Sequence, residues 1–116
     1  MRSDEPGGVI HVALFTPRAN LSVSEREQLT SALHDALNGI PLIRRSRVAR
    51  RLRLGRLYDE TSPPFEYLVL LEFASEADLR AYLDHPAHEA LGRHFYESSE
   101  AAAAWDFRES GRPPDA

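Results

Sequence analysis

Two stretches of this chain, residues 9–15 (VIHVALF) and 65–73 (FEYLVLLEF), are apolar on both of the faces that alternate along an extended strand. A strand of that kind is covered on both sides. The chain therefore needs helices over one face of a sheet and something further over the other. His11 is the exception within the first run, and the charges of the second run sit near its ends.

The helices are written in the remaining periodicity. Ser24-Glu25-Arg26-Glu27 has capping-box spacing, and Leu29, Ala32, Leu33, Ala36, Leu37 and Ile40 follow at helical intervals until Asn38-Gly39 and Pro41 stop the run. Ser75-Glu76-Ala77-Asp78 opens a second helix, in which Leu79, Tyr82 and Leu83 share a face. Pro86 cannot continue that helix, because it lacks an N–H and clashes one turn back, yet its fixed φ suits the first turn of a new one. From His88 the apolar positions run on to Leu91 and Phe95, at +3 and +7. Tyr82 and His88 thus face the same interior from either side of the break, and a phenol and an imidazole are expected to line one pocket.

Residues 45–57 alternate, with Val48, Leu52 and Leu54 on one parity and Arg45, Arg47, Arg51 and Arg53 on the other. The pattern predicts a long strand with a basic face. Arg50 falls on the apolar parity, which implies a bulge, a snorkelling side chain, or a reach inward toward an anion. Residues 59–64 read as a turn-rich loop. Residues 101–108 combine four alanines, which favour helix, with Trp105-Asp106-Phe107, which favours a strand; residues 103–109 are expected to be a strand. The order is then β-α-β-β-α-α-β, an α+β, ferredoxin-like split βαβ plan. A second copy of the same sheet is the economical cover for the face the helices leave open, so a homodimer is expected.

Composition removes several functions. The chain has no cysteine, which excludes thiolate chemistry and disulfides, and no 18-residue apolar run, so no membrane span is expected and a cytoplasmic location is the default. All 14 basic residues are arginine, and seven lie within residues 44–56, but the net charge is −4 and no aromatics interleave with the arginines, so nucleic acid is not an expected partner. His85, His88 and His94 lack converging carboxylates and are split by a helix start, so no metal is expected. His85, just before Pro86, suits a cap. Residues 1–8 and 110–116 read as flexible tails around one domain, residues 9–109.

The first strand with its His11, the run Leu70-Leu71-Glu72-Phe73 entering a capped helix, Tyr82 with His85-Pro86-Ala87-His88, and the closing Asp106-Phe107 resemble the stress-responsive dimeric A/B barrel (Dabb) domains. The resemblance implies a pair of ferredoxin-like units closing a barrel, with no cofactor. Among olivetolic acid cyclase-like members, which close a linear polyketide by intramolecular aldol condensation, the signature Tyr and the last His of the motif act on substrate, and they match Tyr82 and His88. His11 matches a pocket residue, while Tyr67 stands where a further pocket His is found in that branch.

His88 is accordingly the expected base, since neutral imidazole is suited to taking a proton alpha to a carbonyl, and Tyr82 the hydrogen-bond donor to the enolate. His11, Phe15, Tyr67, Leu91 and Phe95 are the expected walls of a pocket for a small hydrophobic or aromatic molecule. Two other readings stay open: a non-catalytic stress-responsive or ligand-binding dimer in which Tyr82 and His88 only pack, and a cofactor-independent monooxygenase of similar fold.

Overall fold

The computed structural model describes residues 8–110. Eight elements follow in order: β1 (Val9–Pro17), α1 (Val23–Gly39), β2 (Ile43–Arg50), α2 (Leu57–Thr61), β3 (Tyr67–Phe73), α3 (Glu76–Leu83), α4 (Pro86–Glu97) and β4 (Ser99–Arg108). Apart from the single helical turn α2, this is the split βαβ order that the residue pattern predicts. The strands form one antiparallel sheet in the order β2-β3-β1-β4, with the two doubly apolar strands at its centre.

Of the expected tails, residues 1–7 and 111–116 lie outside the described residues. Gly8, placed in the first tail by its polar neighbourhood, is instead joined to the sheet: its N–H donates to Glu109 Oε1 at 3.2 Å, and its carbonyl accepts from the Glu109 N–H at 3.1 Å. It has to be glycine, because a Cβ there would sit 2.3 Å from the carbonyl oxygen of Phe73.

The cross-strand register decides which side chains share a face. Val9, His11, Ala13 and Phe15 of β1 are level with Phe73, Leu71, Val69 and Tyr67 of β3 and with Arg108, Asp106, Ala104 and Ala102 of β4. This face carries α1, α3 and α4, and between them lies the core, with Ala36, Ile40, Leu71, Phe73 and Tyr82 almost wholly buried. The opposite face carries Ile10, Val12, Leu14, Leu68 and Leu70, with Trp105 at 49% and Phe107 at 54% exposure. No element of the chain among the described residues covers it.

Five local expectations need correction. The cap of α1 is Ser22, whose Oγ accepts from the Glu25 N–H at 3.1 Å while Glu25 Oε1 accepts from the Ser22 N–H at 2.8 Å; Ser24 and Glu27 lie inside the helix. The basic strand ends at Arg50, not Leu57, because the guanidinium of Arg51 turns to the carbonyls of Pro63 and Phe65. Gly55 then takes φ +76°, and the Asp59 carboxylate accepts from the N–H groups of Leu54 and Arg56, which folds the expected loop into α2. β4 starts at Ser99, four residues early, because residues 101–104 pair along β1, and tertiary hydrogen bonding overrides the helix preference of alanine. Arg50 is not at a bulge: the sheet's irregularity falls between Ile43 and Arg45, and Arg50 pairs with Tyr67, its guanidinium 5.7 Å from that ring's centroid.

Candidate active site

The break at Pro86 assembles the site. Ser75 caps α3 by accepting from the Asp78 N–H at 3.1 Å, which sets the phase that brings Leu79 and Tyr82 onto the sheet. His85 caps α4: its Nδ1 accepts from the Ala87 N–H at 3.0 Å. That bond accounts for His85. His88, one turn into α4, bonds back through Nδ1 to the Leu83 carbonyl at 3.1 Å and so joins the two helices. A carbonyl can only accept, so Nδ1 carries the proton and Nε2 of the neutral ring keeps the lone pair.

Tyr82 is the centre of a ring cluster. Its ring lies 4.6 Å from that of His88, 5.9 Å from that of His11 and 5.1 Å from that of Phe73, each at a tilted or edge-on angle. Only 1% of Tyr82 is exposed and its hydroxyl makes no hydrogen bond to another described residue, but it is not sealed away: the one fully buried side-chain oxygen or nitrogen without a partner among the described residues is Ser99 Oγ. Burial pushes its pKa up to about 12, so the group is a neutral donor at any ordinary pH.

His11 reaches this cluster from the sheet, where strand alternation turns it toward the helices. Its Nδ1 donates to Asp106 Oδ1 at 2.5 Å across the β1–β4 pair. The acceptor-only carboxylate fixes a proton on Nδ1 and turns Nε2 toward the cluster. His88 is held below the usual imidazole range, chiefly because burial disfavours the cation; the Leu83 carbonyl opposes this, and the neighbouring His11 adds to it. The imidazole of His88 is therefore uncharged near pH 7.

These three groups open on one cavity of about 190 Å³ between sheet and helices. Its other walls are aliphatic and aromatic, including Phe15, Leu29, Leu33, Leu71, Leu91 and Phe95. The volume exists because small residues stand where large ones would fill it: Ala13 and Ala104 face each other across β1 and β4, and Gly92 lies on the facing side of α4. An apolar cavity of about 150 Å³ admits a benzene ring, so this one takes a ring with a short substituent.

Of the residues singled out from the sequence, Tyr82, His88, His11, Phe15, Leu91 and Phe95 all line this cavity. Tyr67 does not; it stacks on Phe15 at 5.5 Å and borders an adjoining groove. Asp106 was not singled out for a role, and its signal is visible afterwards as the one acid at a helix-facing position of an alanine-rich strand. Leu29, Leu33 and Ala104 were missed because apolar periodicity does not separate a cavity wall from packed core. No group of three His, Asp or Glu side chains able to hold a metal ion occurs among the described residues.

A ferredoxin-like α+β domain with an apolar, imidazole-lined cavity between helices and sheet is the class of protein these features define. The family profile of the Stress responsive A/B Barrel Domain (Dabb) matches residues 9–109, and the chain belongs to that family. Solved structures agree on the fold. A dimeric ferredoxin-like protein of unknown function from Thermobifida fusca is 24% identical, with TM-score 0.68 over 90% of this chain and 92% of its own. A Dabb family protein from Mesorhizobium loti is 20% identical, with TM-score 0.68 over 87% and 95%. The hydroxynitrile lyase of Passiflora edulis is 17% identical, with TM-score 0.78 over 94% and 99%. No curated protein matches the chain.

Proposed function

We propose that this protein is a cytoplasmic homodimer that binds a small aromatic or polyketide-like molecule in each subunit and closes it by a cofactor-free intramolecular aldol reaction. The observation that carries the reading is Tyr82: a buried phenol without a described hydrogen-bond partner, set between two imidazoles whose Nδ1 atoms are both engaged, on an apolar cavity. In the proposed sequence, His88 Nε2 removes a proton alpha to a ketone, and the electron pair moves onto the carbonyl oxygen. The Tyr82 hydroxyl donates to that enolate oxygen. The enolate carbon then attacks a second carbonyl of the same chain, forming a carbon–carbon bond, and the new alkoxide takes the proton back from the His88 imidazolium. His11, steadied by Asp106, supplies a second donor or acceptor at the opposite wall.

Two solved structures of the same fold support this reading. The dimeric Thermobifida fusca protein supports a second copy over the open sheet face, and the hydroxynitrile lyase supports a catalytic use of the fold. The test is turnover of a linear poly-β-keto substrate by the purified protein. Loss of a general base lowers rates by about 10²–10⁴ and loss of an oxyanion donor by about 10²–10³. His88→Ala and Tyr82→Phe are expected to fall by those factors with the dimer intact, and wild-type rates in both would remove the roles assigned here.

A further inference from the structure

The cavity shares a wall with a second hollow. On the far side of Phe15, Leu29 and Leu33, which line both, this hollow of about 270 Å³ is bounded by Val48, Tyr67 and Arg26. The first compartment takes one ring and a short substituent, so a longer molecule has to continue over those three side chains. The second compartment differs in its charge. Arg26 lines it from α1, and Arg50, placed on the helix-facing side of β2 beside Val48, lies over the Tyr67 ring.

Neither arginine has an ion pair with a described carboxylate, whereas Arg45, Arg53, Arg80 and Arg108 are each paired with a glutamate. Glu66, the acid whose charge Arg50 feels, is already bonded to Arg53 at 2.7 Å. The groove thus has an apolar floor, one guanidinium group in its wall, that of Arg26, a second, that of Arg50, over the ring of its wall residue Tyr67, and no acid in its walls. Planar guanidinium is matched to carboxylate geometry.

We infer that the two hollows form one site for an elongated ligand whose ring or reactive carbonyl lies at Tyr82 and His88 and whose carboxylate end lies at Arg26 and Arg50. This rests on the cavity being a ligand site, and it names the substrate class: an apolar chain with an anionic terminus. Arg50, an outlier in the alternation of the sequence, then has a use as the anion contact on the sheet side.

The probes are 6-phenylhexanoate and 6-phenylhexan-1-ol, which share the same phenylalkyl chain and differ in the terminal group, anionic carboxylate against neutral alcohol, titrated calorimetrically into the wild-type protein and into the Arg26→Gln/Arg50→Gln double variant. Both arginines are exposed, so the variant keeps the fold. The wild type is expected to bind the acid about tenfold more tightly than the alcohol, and the double variant is expected to bind the two alike. An acid preference that survives in the double variant, or none in the wild type, overturns the inference while alcohol binding leaves the cavity reading standing. Failure of the wild type to bind either probe overturns both.

Discussion

The imidazole of His88 stands edge-on to the ring of Tyr82 at 4.6 Å while its Nδ1 is bonded to Leu83, the residue that follows Tyr82. The ends of α3 and α4 are thereby joined through the two groups assigned to chemistry. Both are shifted toward their neutral forms by the same cause, burial, which raises a phenol and lowers an imidazole.

The pH dependence follows. Because the folded pKa of His88 lies below the unfolded value of 6.5, the unfolded chain binds a proton that the native state resists. His88 therefore costs no stability above about pH 6.5 and destabilises progressively as pH falls from there through its lower native value. Thermal melts at pH 7.5 and 5.5 are expected to show a larger loss for wild type than for His88→Gln. An equal loss in the two would show that His88 does not carry this dependence.

Asp106→Asn replaces the acceptor-only carboxylate that fixes the His11 tautomer across β1 and β4 with an amide that can donate as well as accept. Nitrogen-resolved NMR of the imidazole is expected to show Nδ1-protonated His11 in the wild type and a mixture in the variant. The bond is partly solvent-exposed, so the stability lost is about 1 kcal/mol.

Ala104→Phe places a ring in the cavity from the β4 side. Ligand-induced shifts in Tm are expected to vanish in this variant while far-UV circular dichroism is unchanged. A retained shift would place ligand binding elsewhere.

Leu70→Glu introduces a charge in the middle of the open sheet face, in register with Val12 and Arg47. Static light scattering is expected to report a monomer, since the new carboxylate and the cross-strand Arg47 would both have to be desolvated at a packed sheet interface. A dimer of wild-type strength would put the contact on another surface.

Gly8→Ala forces a Cβ against the Phe73 carbonyl oxygen at 2.3 Å, where backbone rather than a flexible side chain has to move. Urea denaturation is expected to show a loss of about 1–3 kcal/mol. A neutral result would mean that the start of β1 yields locally.

Much of the fold was legible because burial writes itself as period. The central strands were visible in residues 9–15 and 65–73, and the break between α3 and α4 in Pro86, whose missing N–H and ring clash disfavour continuing α3 while its fixed φ suits the start of α4. Element ends were less legible. Ser22 and Ser24 are both serines followed three residues later by glutamate, and only the turn preceding α1 decides that Ser22 leaves the helix and caps it. The alanines of β4 favour helix in isolation and became a strand through their partners on β1.

By itself, then, the sequence determined the split βαβ order, the doubly covered strands and the convergence of Tyr82 with His88, since these follow from local periodicity and from proline stereochemistry. Tertiary structure decided the rest: that Asp106 meets His11 over 95 residues of chain, that Ala13, Ala104 and Gly92 leave a hollow where a core would otherwise close, and that Arg50 lies beside an apolar groove. Contacts between residues far apart in the chain, and the volumes left between them, depend on strand register, which no local pattern encodes.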